Sequence, residues 1–169
     1  MKMAKNITIS LDKAIDKQQI ISAIIQILNI NEMNIYFFYS HENLISVNNV
    51  DVFVDYIPLE NSELKANINI SITEHLSYKF EFFDIDFPTN LAKVLSTNIF
   101  IPAPMSFNYS IIRIEPTGKL YGANEYEKDD EFEYLDDIKL LNKNTIKTLI
   151  NTIKADAIEE ELIAQETGI

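Results

Sequence analysis

Apolar and polar positions change period several times along the chain, and each change marks a predicted element. Ile7-Thr8-Ile9 alternates and predicts a short first strand. Asp16-Lys17-Gln18-Gln19 then supplies a capping box, an N-cap acid with Gln three residues later. Behind it Ile20, Ile21, Ile24, Ile25, Ile27 and Leu28 lay a wide apolar stripe on one helix, which ends near Asn29.

From Asn34 to Ile85 the period is two. Ile35 to Tyr39 is a short aromatic strand, and Val50, Val52, Val54 and Tyr56 share one face of the next, with Asp51 and Asp55 flanking Phe53 on the other. Asn67 to Ile72 is the cleanest alternation in the chain. Tyr78-Lys79-Phe80-Glu81-Phe82 repeats it and runs into Phe83-Asp84-Ile85. Polar connectors separate these runs, so an antiparallel meander with one wet face is the economical expectation.

The second half predicts a helix entered through Asp86 with Pro88 in its first turn, its core face formed by Leu91, Ala92, Val94 and Leu95. Ile99-Phe100-Ile101 reads as a buried strand stopped by Pro102-Ala103-Pro104. Tyr109 to Ile114 and Lys119 to Tyr126 form a hairpin around Glu115-Pro116-Thr117-Gly118, where Pro and Gly suit a type I turn. Asn144 is placed to cap a last helix carrying Ile146, Leu149, Ile150, Ile153, Ala157 and Ile158, with Leu162 and Ile163 as an extension. Glu159-Glu160-Glu161 opposes the dipole there, so 159–169 is expected to fray. The whole reads as one α+β domain over 1–169: a mostly antiparallel sheet packed against N-terminal and C-terminal helices.

Composition narrows the chemistry. With 169 residues and 47% apolar positions the chain has enough for an ordinary core. It has no Cys, so disulfides, thiolate chemistry and cysteine-held metals are excluded. Its net charge of −12 opposes nucleic acid and anionic membranes as partners. The start of the chain is too short and polar for a signal h-region, and no stretch has the length of a membrane span; a cytoplasmic location follows as the expectation.

Catalytic motifs are scarce. His41 and His75 lie in polar connectors, without a nucleophile at motif spacing, and read as exposed turn residues. Gly118, Gly122 and Gly168 are too few and too scattered for a phosphate cradle. Asp84 and Asp86 stand two apart, so on a strand they would point the same way and could share a divalent cation. Asp51 and Asp55 share a strand face likewise. Neither pair has a third ligand in register, and lining a solvated face is the simpler role. No cofactor is implied. A small enzyme with a carboxylate-based site is the alternative from another class.

The segment 125–137 stands apart: Glu125, Glu127, Asp129, Asp130, Glu131, Glu133, Asp136 and Asp137 make eight acids in thirteen residues, interleaved with Tyr126, Phe132 and Tyr134. It has no EF-hand ligand order. As a loop it suits three roles: solvated surface, a docking surface for a basic protein, or a mimic of a nucleic-acid backbone. Acids steer an encounter and aromatics anchor it, so the interleaving favours docking.

A family resemblance rests on the stretch from Leu91 to Asp137. Leu91-Ala92-Lys93-Val94-Leu95 leads into Asn98-Ile99-Phe100-Ile101-Pro102; then come Tyr109-Ser110-Ile111-Ile112-Arg113-Ile114, the Pro116-Thr117-Gly118 turn, and Lys119-Leu120-Tyr121 before acidic sequence. This order resembles the immunity proteins of bacterial contact-dependent and polymorphic toxin systems. The resemblance implies a non-enzymatic cytoplasmic antitoxin that binds one cognate toxin; the net charge of −12 makes a basic toxin the expectation, and the acidic segment is the contact surface the residues themselves suggest. The helix–strands–helix order is also similar to type III secretion chaperones, which dimerise and wrap an effector segment. The strand at Ile7 to Ile9 and the four strands before the second helix exceed that fold, which places the chaperone second.

Overall fold

The computed structural model describes residues 3–40, 50–60, 63–80, 83–104, 107–128, 131–134 and 139–151. In chain order these form β1 (Met3–Leu11), α1 (Lys17–Leu28), β2 (Ile35–Tyr39), β3 (Val52–Pro58), β4 (Ala66–Thr73), α2 (Glu74–Ser77), α3 (Phe83–Leu95), β5 (Ile99–Pro102), β6 (Ile111–Ile114), β7 (Leu120–Ala123), β8 (Glu125–Lys128), β9 (Glu131–Tyr134), β10 (Lys139–Leu141) and α4 (143–151). The fold is α+β. Eight strands form one mostly antiparallel sheet in the order β10-β7-β6-β5-β1-β4-β3-β2, and β8 pairs with β9 in a second sheet of two strands.

Alternation decides which face is buried. Ile7, Ile9 and Leu11 of β1, Val52, Val54 and Tyr56 of β3, Ile68, Ile70 and Ile72 of β4, and Ile112 and Ile114 of β6 join one core. The helices supply its other half: Ile20, Ile24 and Leu28 from α1, Phe83, Phe87 and Leu91 from α3, Ile146 and Ile150 from α4. Fully burying one such side chain contributes roughly 1.5–3 kcal/mol, which is why the strand register is unambiguous. α1 begins with the expected capping box, Asp16 accepting from Gln19 N at 2.9 Å, and ends on Asn29 in the left-handed region at φ 52°. The β6–β7 turn closes as a type I turn with Gly118 at φ 82°, Gly118 N donating to the Glu115 carbonyl.

Four expectations are corrected. The first strand is much longer than Ile7–Ile9, and it runs in the middle of the sheet between β4 and β5. The meander fails at its start, because β2 runs parallel to β3. Neither Tyr78 to Phe80 nor Phe83 to Ile85 is strand. Tyr78 caps α2, and Phe83 to Ile85 already belong to α3, so Pro88 lies inside that helix rather than in its first turn. Phe80, Phe83 and Phe87 form a ring cluster, Phe83 stacking on Phe87 at 4.9 Å, and their helical spacing outweighs the local alternation. On the expected core face of α3, Leu91 and Ala92 are buried, but Val94 is exposed.

The last helix also starts differently. Asn142, not Asn144, is its cap: Asn142 Oδ1 accepts from Asn144 N at 2.9 Å and Thr145 N at 3.4 Å. Ile153, Ala157, Ile158, Leu162, Ile163 and the expected fraying of 159–169 lie outside the described residues.

Candidate partner-binding surface

The acidic segment grows out of the sheet edge. β7 and β10 are antiparallel neighbours, with Gly122 opposite Lys139 and Leu120 opposite Leu141. The chain leaves β7 at Ala123, enters β8 at Glu125, returns through β9 and re-enters the main sheet as β10. The expected loop is therefore corrected to a hairpin along 125–128 and 131–134. Its register sets Glu125 opposite Tyr134, Tyr126 opposite Glu133, Glu127 opposite Phe132 and Lys128 opposite Glu131. Every cross-strand pair thus joins an acid to an aromatic or to a lysine. Asp129, Asp130, Asp136 and Asp137 lie outside the described residues.

The open face of the main sheet carries a second set of groups that sequence reading passed over. Thr8 donates to Asn69 Oδ1 at 2.8 Å, Ser10 to Asn67 Oδ1 at 2.6 Å, and Ser71 to Asn6 Oδ1 at 3.2 Å. Asp55 accepts from Asn69 Nδ2 at 3.2 Å and from the Ser40 hydroxyl. This amide and hydroxyl ladder is the polar row of the same alternation that buries the isoleucines, so its signal was in the sequence. Beside it Tyr36, Phe38 and Phe53 cluster on the open face, Tyr36 meeting Phe53 edge-on at 5.8 Å. Nearer the hairpin, the guanidinium of Arg113 lies over the Tyr121 ring at 4.8 Å and donates to Glu115 at 3.0 Å. Its Nε is buried without a partner. Arg113 borders a pocket of about 300 Å³ shared with Asp12, Glu63, Asn98 and Phe100.

No family model, curated protein or solved structure matches the chain.

The carboxylate pairs separate in the fold. Asp84 and Asp86 lie on α3, where two-residue spacing points side chains to different sides, so the shared orientation expected of a strand is lost. Asp86 is held by Lys143 at 2.9 Å and Lys147 at 3.2 Å, one turn apart on α4. Partial burial pushes its carboxyl upward, but the hydrogen bonds from both lysines outweigh that and hold it below the usual carboxylate value. Asp51 accepts from Asn34 Nδ2 at 2.8 Å and lies 3.8 Å from His75 Nε2, while Asp55 serves the ladder. Among the described residues no three His, Cys, Asp or Glu gather in a metal-binding group.

His75 lies in α2 rather than in a connector, and its Nδ1 is 3.0 Å from Thr73 Oγ1. Thr73, His75 and Asp51 stand in the order of a nucleophile, base and orienter. The geometry is that of a tie: Thr73 is buried, and 3.8 Å to Asp51 exceeds a hydrogen bond. His41 lies outside the described residues. No described helix is long and apolar enough to cross a membrane.

Proposed function

We propose that this chain is a stoichiometric binding protein of the immunity kind, which neutralises one basic protein toxin by covering it and performs no chemistry of its own. The observation that carries the proposal is the β8–β9 register, in which three of the four cross-strand pairs join a carboxylate to an aromatic residue. A hairpin offers such pairs at fixed spacing, whereas a solvated loop does not. In this reading the net charge of −12 raises the encounter rate with a cationic partner, and Tyr126, Phe132 and Tyr134 slow its departure.

The test takes the basic protein that co-purifies with the chain at low salt. It asks whether a one-to-one complex abolishes that protein's toxicity to cells. The triple change Asp129→Asn, Asp130→Asn, Glu131→Gln is expected to lower the on-rate and flatten its salt dependence. An unaltered on-rate and salt slope would remove the hairpin from the contact. A stable dimer holding an unfolded segment would replace the proposal with a secretion chaperone.

A further inference from the structure

The register of four adjacent strands sets the side chains of the open face in two straight rows. Phe38 of β2 stands beside Asp55 of β3, Asp55 beside Asn69 of β4, and Asn69 beside Thr8 of β1. Two residues along each strand, Tyr36 stands beside Phe53, Phe53 beside Ser71, and Ser71 beside Asn6. Hydrogen bonds run within the rows: Thr8 to Asn69 and Asn69 to Asp55 in one, Ser71 to Asn6 in the other. Among the described residues none bridges the two rows, and a cleft of about 460 Å³ lies between them. With strands about 4.8 Å apart, four of them make it roughly 14 Å long, and the rows stand about 6.7 Å apart.

Phe38 and Phe53 wall the β2 end of the cleft, and Asp55, Asn69, Ser71 and Asn6 wall the rest. Its polar groups are oriented but not used up. A carboxylate only accepts, so Asp55 turns the Asn69 amide to point Nδ2 at itself and Oδ1 at Thr8. One Nδ2 hydrogen of Asn69, both of Asn6 and the lone pairs of Ser71 Oγ are left over among the described residues. Asp55 is the one charged residue among those lining the cleft, and its two oxygens already accept from Ser40 and Asn69. An anion finds no cation there, and a cation finds a carboxylate already engaged. Aromatic rings at one end and facing runs of amide, hydroxyl and carboxylate along the rest match a ligand with flat C–H faces and a rim of hydroxyls, which donate and accept at once.

We infer that this cleft binds a neutral oligosaccharide, an extended chain of β-1,4-linked pyranoses with equatorial hydroxyls, laid across β2, β3, β4 and β1. Equatorial substituents leave both ring faces C–H, so one unit seats on Phe38 and Phe53. The β-1,4 linkage keeps the chain straight, so the next units follow the rows, with hydroxyls to Asp55 and Asn69 on one side and to Ser71 and Asn6 on the other. The cleft is longer than one pyranose ring, so an oligosaccharide rather than a monosaccharide fills it. These strands lie at the far end of the sheet order from β7 and β10, and the inference does not rest on the acidic hairpin.

The test titrates the full chain with cellotetraose, following the side-chain amide signals of Asn6 and Asn69 by NMR and the affinity by calorimetry. Both signals are expected to shift and saturate together, while the side-chain amide of Asn98, bound to Asp12 outside the cleft, stays still. Affinity is expected to be the same at low and high salt, since no charges pair. Asn6→Ala, at an exposed position, and Phe53→Leu, which keeps an apolar residue on the strand, are each expected to fold and to weaken binding about fivefold. No saturable shift with cellotetraose would overturn the inference, as would full affinity in both variants. Glucose binding as tightly as cellotetraose would overturn the extended chain. Shifts of the same amides by the captured basic protein, with none from cellotetraose, would give this face to a protein partner instead.

Discussion

Tyr109 fills the space that a side chain on Gly122 would need: a β-carbon there would stand 2.4 Å from the Tyr109 ring. Gly122 is the position of β7 opposite Ile112 in β6 and Lys139 in β10, where the sheet passes toward the acidic hairpin. The bare backbone lets the ring lie flat across the strand.

Gly122→Ala is therefore expected to destabilise the protein by about 1–3 kcal/mol in urea unfolding, since the β-carbon would meet the root of the ring, Cγ and Cδ2, rather than a flexible tip. Pairing it with Tyr109→Ala should recover much of the loss, a coupling that independent sites would not show. Additive losses would mean that the ring is not what excludes the β-carbon.

Asp86 ties α4 to α3, and its effect on stability depends on pH. Its folded value lies below the ordinary 3.8, so its contribution is present above about pH 4 and is lost as pH falls through the folded value. Asp86→Asn is expected to cost roughly 0.5–1 kcal/mol near pH 7, small because the pairs are partly exposed. The gap between the two proteins should narrow as pH falls below 3.8 and vanish once the folded carboxyl is protonated. A gap that is constant with pH would assign the loss to packing rather than charge.

The cap of α4 separates two neighbouring asparagines. Asn142→Ala should lower stability by about 1 kcal/mol, because two backbone N–H groups lose their acceptor. Asn144→Ala should change it by no more than a few tenths, as an exposed residue in the first turn. Equal effects would refute the assignment of Asn142 as the cap.

Phe87 is fully buried and stacked on Phe83. Phe87→Ala is expected to cost about 3–5 kcal/mol, through lost transfer energy and the cavity left beneath α3. Phe80→Ala should cost less, since Phe80 is only partly buried at the rim of the cluster. A loss at Phe80 as large as at Phe87 would place the weight of the cluster at its rim.

Much of the candidate surface was legible because it repeats a local rule. The ladder of Asn67, Asn69 and Ser71 is the complement of Ile68, Ile70 and Ile72, and the acid–aromatic interleaving of 125–134 already has the alternation of a strand. From sequence the segment reads as a loop, because like charges and few apolar residues usually mark one. Its pairing depends on β7 and β10 being neighbours, and nothing within the segment says so. Pro102 and Pro104 read as a strand stop, and β5 does end at Pro102, with the Pro104 carbonyl accepting from Phe107 N in the turn that follows.

By itself, then, the sequence determined whatever depends on a few consecutive residues. The capping box at Asp16 and Gln19, the turn closed by Gly118, and the buried rows of β3 and β4 follow from side-chain chemistry and period alone. Tertiary structure decided what depends on residues far apart in the chain. It set β1 at the centre of the sheet, ran β2 parallel to β3, and drew Phe80, Phe83 and Phe87 into one cluster at the cost of a strand. The physical reason is one of scale. Hydrogen bonds of caps and turns close within a few residues, whereas burial is a property of the whole surface, and burial contributes most of the energy.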